Sequence, residues 1–262
     1  MKSYFRTIVD YLGYEIKIKK HAEAREKRQL AIPGDINSSN SEIIKKCSSY
    51  TMTSVERQAA LLNAVEYVSR NNITGGFVEC GVWKGGSSLA AALKFSELGD
   101  YRDIFMFDTF EGMTPPTDVD IDINGKEADV LLNIEEKSED GGIWCIAGLD
   151  VVKDTMKLAV NYPDKKIKFI KGKVEDTLKD NIPSSISILR LDTDWYESTK
   201  YEMEHLFPRL TVGGVLIIDD YGHWCGAKKA VNEYLEKNGI KILLNRIDYT
   251  GRIGIKAFSS DV

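Results

Sequence analysis

The chain is short of cysteine, long apolar runs and positive charge, and each shortage removes a class of protein. Its four cysteines, Cys47, Cys80, Cys145 and Cys225, are scattered through 262 residues without a CxxC pair. That argues against a zinc ribbon or a disulfide framework and for free thiols in a reducing compartment. No run of 18 apolar residues occurs, so no segment is expected to span a membrane. Residues 1–12 are broken by polar side chains and lack the small-residue cleavage site of a secretory signal. A cytoplasmic protein is expected. Lys+Arg number 35 against 40 Asp+Glu, a net charge of -5, the wrong sign for a protein that its overall field would hold on nucleic acid. There is no internal repeat.

What remains is 43% hydrophobic and 29% charged, enough apolar matter for one continuous core. Residues 1–50 carry 10 Lys+Arg against 6 Asp+Glu and read as an N-terminal helical arm and linker. Tyr4, Phe5, Ile8, Val9, Tyr11 and Leu12 recur at near-helical spacing. A helix packed on its own domain or on a second subunit is expected, hence a homo-oligomer. Residues 32–40 read as a loop. Thr53-x-x-Glu56 has the pattern of a capping box opening a helix that runs to about Arg70.

Across 51–262 short apolar runs alternate with helical stretches. Strands are expected at 77–80, 104–107, 167–170, 186–191, 215–218, 240–244 and 253–258. Helices are expected near 86–98, 149–161, 174–180, 197–206 and 226–237. Such alternation builds an α/β, doubly wound, mostly parallel sheet. The last two strands have only a turn sequence, 248–251, between them, so they should close as an antiparallel hairpin. Ligands of such sheets sit at the carboxyl ends of the strands.

Three of those ends carry chemistry. In Phe77-Val-Glu-Cys-Gly-Val-Trp-Lys-Gly-Gly-Ser-Ser88 a buried strand ends at Glu79 and Cys80. Gly81, Gly85 and Gly86 then turn the chain before a helix opens at about Ser87, a place where backbone can approach a ligand. Glu79 suits a cationic amine, such as the aminoacid end of S-adenosylmethionine. Trp83 stands where a dinucleotide motif has its middle glycine. In Ile104-Phe-Met-Phe-Asp-Thr-Phe-Glu-Gly112 the strand ends at Asp108, placed to accept ribose hydroxyls. The third is a pair: Asp192-Thr-Asp194 and Asp219-Asp220 end successive strands, bringing Asp192, Asp219 and Asp220 within reach of one Mg²⁺, Mn²⁺ or Ca²⁺ ion.

These stretches, with Leu189-Arg-Leu-Asp-Thr-Asp-Trp-Tyr-Glu-Ser-Thr199 and Gly213-Gly-Val-Leu-Ile-Ile-Asp-Asp-Tyr221, resemble the macrocin O-methyltransferase family. Its members are metal-dependent S-adenosylmethionine enzymes that methylate sugar hydroxyls of antibiotics and related glycans. The resemblance spans about 51–256 and implies a class I, Rossmann-like methyltransferase sheet. It implies Asp192, Asp219 and Asp220 as metal ligands and Asp194 as the base that deprotonates the acceptor. It also implies a cofactor site of Thr51, Met52, Glu79, Cys80, Gly81, Gly85, Ser87, Asp108, Gly112 and Asp192.

His223 competes with Asp194 for the base role, since an imidazole titrates near neutrality. His205 and His21 read as structural or exposed. Residues 113–147, with Pro115-Pro116, hang where a lid over the acceptor would sit. Within them Asp120-x-Asp122-x-Asn124-Gly125 copies the start of an EF-hand loop, but Leu131 replaces the twelfth-position Glu, and a solvated acidic loop is expected. Three rival functions remain: a glycosyltransferase using the DxD, an NAD-dependent oxidoreductase, and a non-catalytic S-adenosylmethionine-binding module. The acceptor (antibiotic sugar, nucleotide-linked sugar or surface polysaccharide) stays open.

Overall fold

Isoleucine, leucine, valine and phenylalanine fill both faces of the central strands, so those strands have to be covered on both sides. A computed structural model describes residues 32–138 and 141–257 and shows how this is done. The strands are Gly76–Cys80 (β1), Ile104–Asp108 (β2), Ile167–Lys171 (β3), Ile186–Leu191 (β4), Leu210–Ile218 (β5), Asn245–Arg246 (β6) and Arg252–Ile255 (β7). They form one sheet in the order β3-β2-β1-β4-β5-β7-β6. The first five run parallel, while β7 lies antiparallel to β5 and β6 antiparallel to β7. Every residue of β1 and β4 is buried.

Helices Ser38–Cys47, Val55–Arg70 and Gly86–Glu97 cover one face, centred on Phe77, Phe95 and Leu62. Helices Val174–Asn181, Tyr196–His205 and Cys225–Lys237 cover the other, centred on Phe107, Leu189 and Phe207. The strand order reverses between β2-β1 and β4-β5, the topological switch point at which such sheets bind ligands.

Register then brings the chemistry to one level. Cys80 lies beside both Phe107 and Leu191, and Leu191 beside Ile218. The ladder continues one residue further: Gly81 N–H donates to Phe107 O, Asp192 N–H to Cys80 O and Asp219 N–H to Leu191 O, at 2.9, 2.8 and 2.9 Å. Gly81, Asp192 and Asp219 therefore stand in a row along the sheet's carboxyl edge.

The structure corrects several local expectations. The hairpin forms, but its first strand is the two residues Asn245–Arg246 rather than 240–244. Ile240, Ile242 and Leu244 pack against the helix-covered core instead of pairing. The helix expected over 149–161 stops as Leu149–Met156. The cap of Val55–Arg70 is Ser54, which accepts from Arg57 N–H, because the Thr53 hydroxyl is paired with that of Thr51 at 3.0 Å. Asn37 caps Ser38–Cys47, so the loop expected over 32–40 ends inside a helix, and Ile43, Ile44 and Cys47 join the main core. The apolar face at Tyr4–Leu12 and His21 lie outside the described residues.

The acidic loop is solvated only in part: Ile123 to Glu127 are exposed, but Asp120 and Asp122 are buried. Asp120 is 1% exposed and accepts from Tyr196 N–H at 2.7 Å, tying the loop to the start of helix Tyr196–His205. Asp122, also buried, accepts from the N–H groups of Asn124 and Lys126, both at 2.8 Å. The segment also contains a helix, Ala128–Ile134, which packs with Trp195 and Trp224 as a small third core.

Candidate active site

A cavity of about 540 Å³ opens over the carboxyl edge of the sheet. Its two flanks are built differently. At the ends of β1 and β2, Gly81 and Gly85 have left-handed backbone (φ 81° and 87°), and so does Trp83 (φ 46°). Left-handed φ is costly for a side chain as bulky as indole and concentrates at functional sites. The turn wraps Asp108: one carboxylate oxygen accepts from Val82 N–H at 2.6 Å and Trp83 N–H at 3.3 Å, and the other from Phe110 N–H at 2.7 Å. Burial lifts the Asp108 carboxyl above its ordinary range, and these amides work against that shift. Close approach explains two of the glycines. A Cβ on Gly81 would run into the Asp192 carbonyl, and one on Gly86 would meet the Tyr50 carbonyl at 2.5 Å.

At the ends of β4 and β5 the site is held by side-chain charge. Arg190 sits inside fully buried β4, 3% exposed, and its Nη1 meets Glu79 at 2.6 Å and Asp192 at 2.8 Å. Its Nη2 lies 2.8 Å from Asp219. Arg57 reaches in from helix Val55–Arg70, pairing through Nη1 with Asp219 and through Nε with Asp248 at 3.1 Å. In front of the arginines, Asp192, Asp194 and Asp220 each offer an oxygen within 4.8 Å of the other two. Asp194 reaches its place on left-handed backbone, φ 68°.

Burial, helped by neighbouring aspartates, pushes the Asp192 and Asp194 carboxyls well above the ordinary carboxylate range. Burial alone would raise Asp220 too. Its hydrogen bonds with Asp194 and Asp192 and the charge of Arg57 hold it below that range. Three carboxylates so close repel one another unless protons or a cation intervene. Hard oxygen donors at this spacing suit a divalent cation of the magnesium, manganese or calcium type.

Of the residues expected in the site, Thr51, Met52, Gly81, Ser87, Asp108, Gly112, Asp192, Asp194, Asp219, Asp220 and His223 line this cavity. Glu79, Cys80 and Gly85 do not stand in its wall. Glu79, 1% exposed, is bound by Ser88 Oγ and Arg190 beneath the floor, and Gly85 faces Val152. The geometric cluster also differs from the expected ligand set: Asp194 stands with Asp192 and Asp220, while Asp219 is turned onto Arg57 and Arg190. His223 presents a buried Nδ1 with no protein partner, whereas His205 Nδ1 lies 2.8 Å from Tyr201 O, away from the site.

Segment 113–147 contributes Met113, Asp122, Asn124, Glu135, Ile143 and Cys145 to the wall. Arg57, Arg190 and Tyr249 were given no role from the sequence, and Asp122 and Asn124 were read only as part of a solvated acidic loop. Arg190 had a signal, since a lone cation between apolar residues in a buried strand requires partners. Arg57 had none, because its helix reads as an ordinary amphipathic one.

The family model for macrocin-O-methyltransferase (TylF) matches residues 14–253. The chain is 33% identical over 203 residues, 77% of its length and 74% of the relative's, to the 8-demethyl-8-(2,3-dimethoxy-alpha-L-rhamnosyl)-tetracenomycin-C 4'-O-methyltransferase of Streptomyces olivaceus. It is 30% identical over 208 residues, 78% and 74% of the two lengths, to the demethyldecarbamoylnovobiocin O-methyltransferase of Streptomyces niveus. The solved structure of the O-methyltransferase NovP superposes with a TM-score of 0.67 at 28% identity, covering 80% of this chain and 83% of that one.

Proposed function

The chain belongs to the macrocin O-methyltransferase family and is an S-adenosylmethionine-dependent O-methyltransferase, and we propose that it methylates a sugar hydroxyl with a divalent cation bound at its acidic cluster. The observation that carries this reading is the convergence of Asp192, Asp194 and Asp220 beside the glycine turn, in one cavity. The glycosyltransferase, oxidoreductase and binding-module readings are not favoured by the relatives.

In this reading Asp192 and Asp220 hold the cation, which when bound would stabilise negative charge developing on the acceptor oxygen. S-adenosylmethionine would supply an electrophilic methyl group. The chain's own residues do the rest. Thr51, Met52, the 81–87 turn and Asp108 hold the donor. Asp194 faces the acceptor hydroxyl and takes its proton as the oxygen–carbon bond forms and the sulfur–carbon bond breaks. Asp219 stays on Arg57 and Arg190 and keeps both strand ends in register with the cavity. His223 and Trp224 wall the acceptor side.

The test is removal of metal. Turnover of a deoxysugar glycoside by protein stripped with EDTA should fall at least ~100-fold, the scale of several kcal/mol of charge stabilisation, and return on adding Mg²⁺. Full turnover in excess EDTA would remove the cation from the mechanism.

A further inference from the structure

Resting on that reading of the site, we propose that the acceptor carries no phosphate or carboxylate: it is a neutral or amine-bearing glycoside, not a nucleoside-diphosphate sugar or an acidic glycan. The acceptor side of the cavity is walled by Asp122, Glu135, Asp192, Asp194, Asp219 and Asp220. Among the described residues, the wall's lysine and arginine side chains are Arg57 and Lys173. Arg57 is occupied by Asp219 and Asp248. Lys173 follows β3, on the far side of β1 from the acidic strand ends, and Glu175 lines the cavity beside it.

The charge stays negative when the missing groups are added. Arg57 and Arg190 offset two of the six acidic charges, and a divalent cation with a sulfonium would offset three more. One negative charge remains even before Glu79 and Asp248, which the same arginines bind, are counted. A diphosphate would bring two further negative charges beside carboxylates that, Glu135 apart, are buried or half-buried, where like charges repel more strongly than in water. The rest of the acceptor wall is neutral and suited to a sugar. Asn124 and the unpartnered His223 Nδ1 can meet hydroxyls, and the exposed Tyr249 offers aromatic surface to a ring's C–H face. An ammonium on the acceptor would find carboxylates already in place.

Three probes that share a six-carbon deoxysugar decide the matter: methyl α-L-rhamnoside, a methyl 3-amino-3,6-dideoxyhexoside and dTDP-L-rhamnose. Each is measured with the full-length chain, by binding to the S-adenosylhomocysteine complex and by turnover with S-adenosylmethionine and Mg²⁺. The two glycosides should exceed dTDP-rhamnose at least ~10-fold in affinity and in kcat/KM. For the nucleotide sugar the handicap should shrink as ionic strength rises from about 0.01 M to about 0.15 M and the screening length falls from ~30 to ~8 Å. Glu135→Gln and Asp122→Asn should each narrow the gap. A preference for dTDP-rhamnose, or a gap indifferent to salt and to both substitutions, overturns the proposal while leaving a sugar methyltransferase intact. If none of the three binds or is methylated while S-adenosylmethionine still binds, the sugar reading itself fails and this inference falls with it.

Discussion

Asp108 ends β2 and Asp192 follows β4, one on either side of β1 along the same sheet edge, yet they are held by different means. Asp108 is wrapped by the N–H groups of Val82, Trp83 and Phe110. Asp192 and its neighbour Asp219 are met by guanidinium groups. The flank proposed to hold the donor is therefore a main-chain mould, preformed by left-handed residues and by Gly81 and Gly86, where a Cβ would collide with backbone. The acidic flank is a charge lattice in which Asp192 and Asp219 keep their positions through arginines, with Asp194 and Asp220 clustered against them. A mould is damaged by added volume, a lattice by lost charge. The two flanks should fail differently.

The largest effect is expected from below the lattice. Arg190→Met keeps most of the side-chain volume but leaves Glu79, Asp192 and Asp219 without their shared partner. Removing one member of a buried ion pair strands the other, at a cost of about 3–5 kcal/mol. Urea unfolding should show that loss, and a variant within about 1 kcal/mol of the parent would mean that the lattice is not what holds these strand ends together.

Gly81→Ala attacks the mould. The added methyl collides with the Asp192 carbonyl at a backbone φ of 81°. Left-handed strain of about 1–2 kcal/mol and a packing cost of similar size give about 3 kcal/mol. S-adenosylmethionine affinity, measured by calorimetry, should fall with it. Asp194→Asn should do the opposite, lowering kcat ~100-fold, about 2.7 kcal/mol of barrier, with donor affinity unchanged. A near-parental rate would pass the proton-accepting role to His223, and weakened donor binding would mean that the two flanks are not separable.

How legible this was from sequence follows the same division. The parallel order, the strand ends and the closing hairpin were readable, because short apolar runs and glycine-rich turns are local signals. Asp108, Asp192, Asp194 and Asp220 could be placed at one edge because strand alternation dictates the end at which they emerge. What could not be read was the direction in which a side chain turns. Glu79, expected at the donor, lies outside the cavity wall with Ser88 and Arg190 as its partners, and Asp219, expected at the metal, is paired with Arg57 and Arg190. Both depend on Arg57 or Arg190, which reach them across 162 and 111 residues of sequence respectively. Asp120 and Asp122 were misread for a related reason. Their partners, Tyr196 and Trp224, lie on later elements, so composition alone described them as solvated.

The smallest expected effect sharpens the comparison where helix and lattice meet. Ser54 accepts from Arg57 N–H at 3.1 Å as the cap of its helix and donates its hydroxyl to Asp248 at 2.7 Å. Ser54→Ala thus removes a cap, worth about 1 kcal/mol, together with one of the donors to the carboxylate that steadies Arg57. Burial would raise Asp248, but Arg57, the N–H groups of Gly251 and Thr250 and the Ser54 hydroxyl together hold it below the ordinary range. A carboxyl depressed in the folded state adds stability that is whole above its unfolded value, near 3.9, and is lost as pH falls through the folded value. The deficit of Ser54→Ala should therefore be greatest near neutral pH and shrink below about pH 4, towards the contribution of the cap alone. Unfolding free energies at neutral and acid pH separate the two parts. A deficit that does not change with pH would make Ser54 a helix cap only, with no share in holding the arginine that the acidic flank depends on.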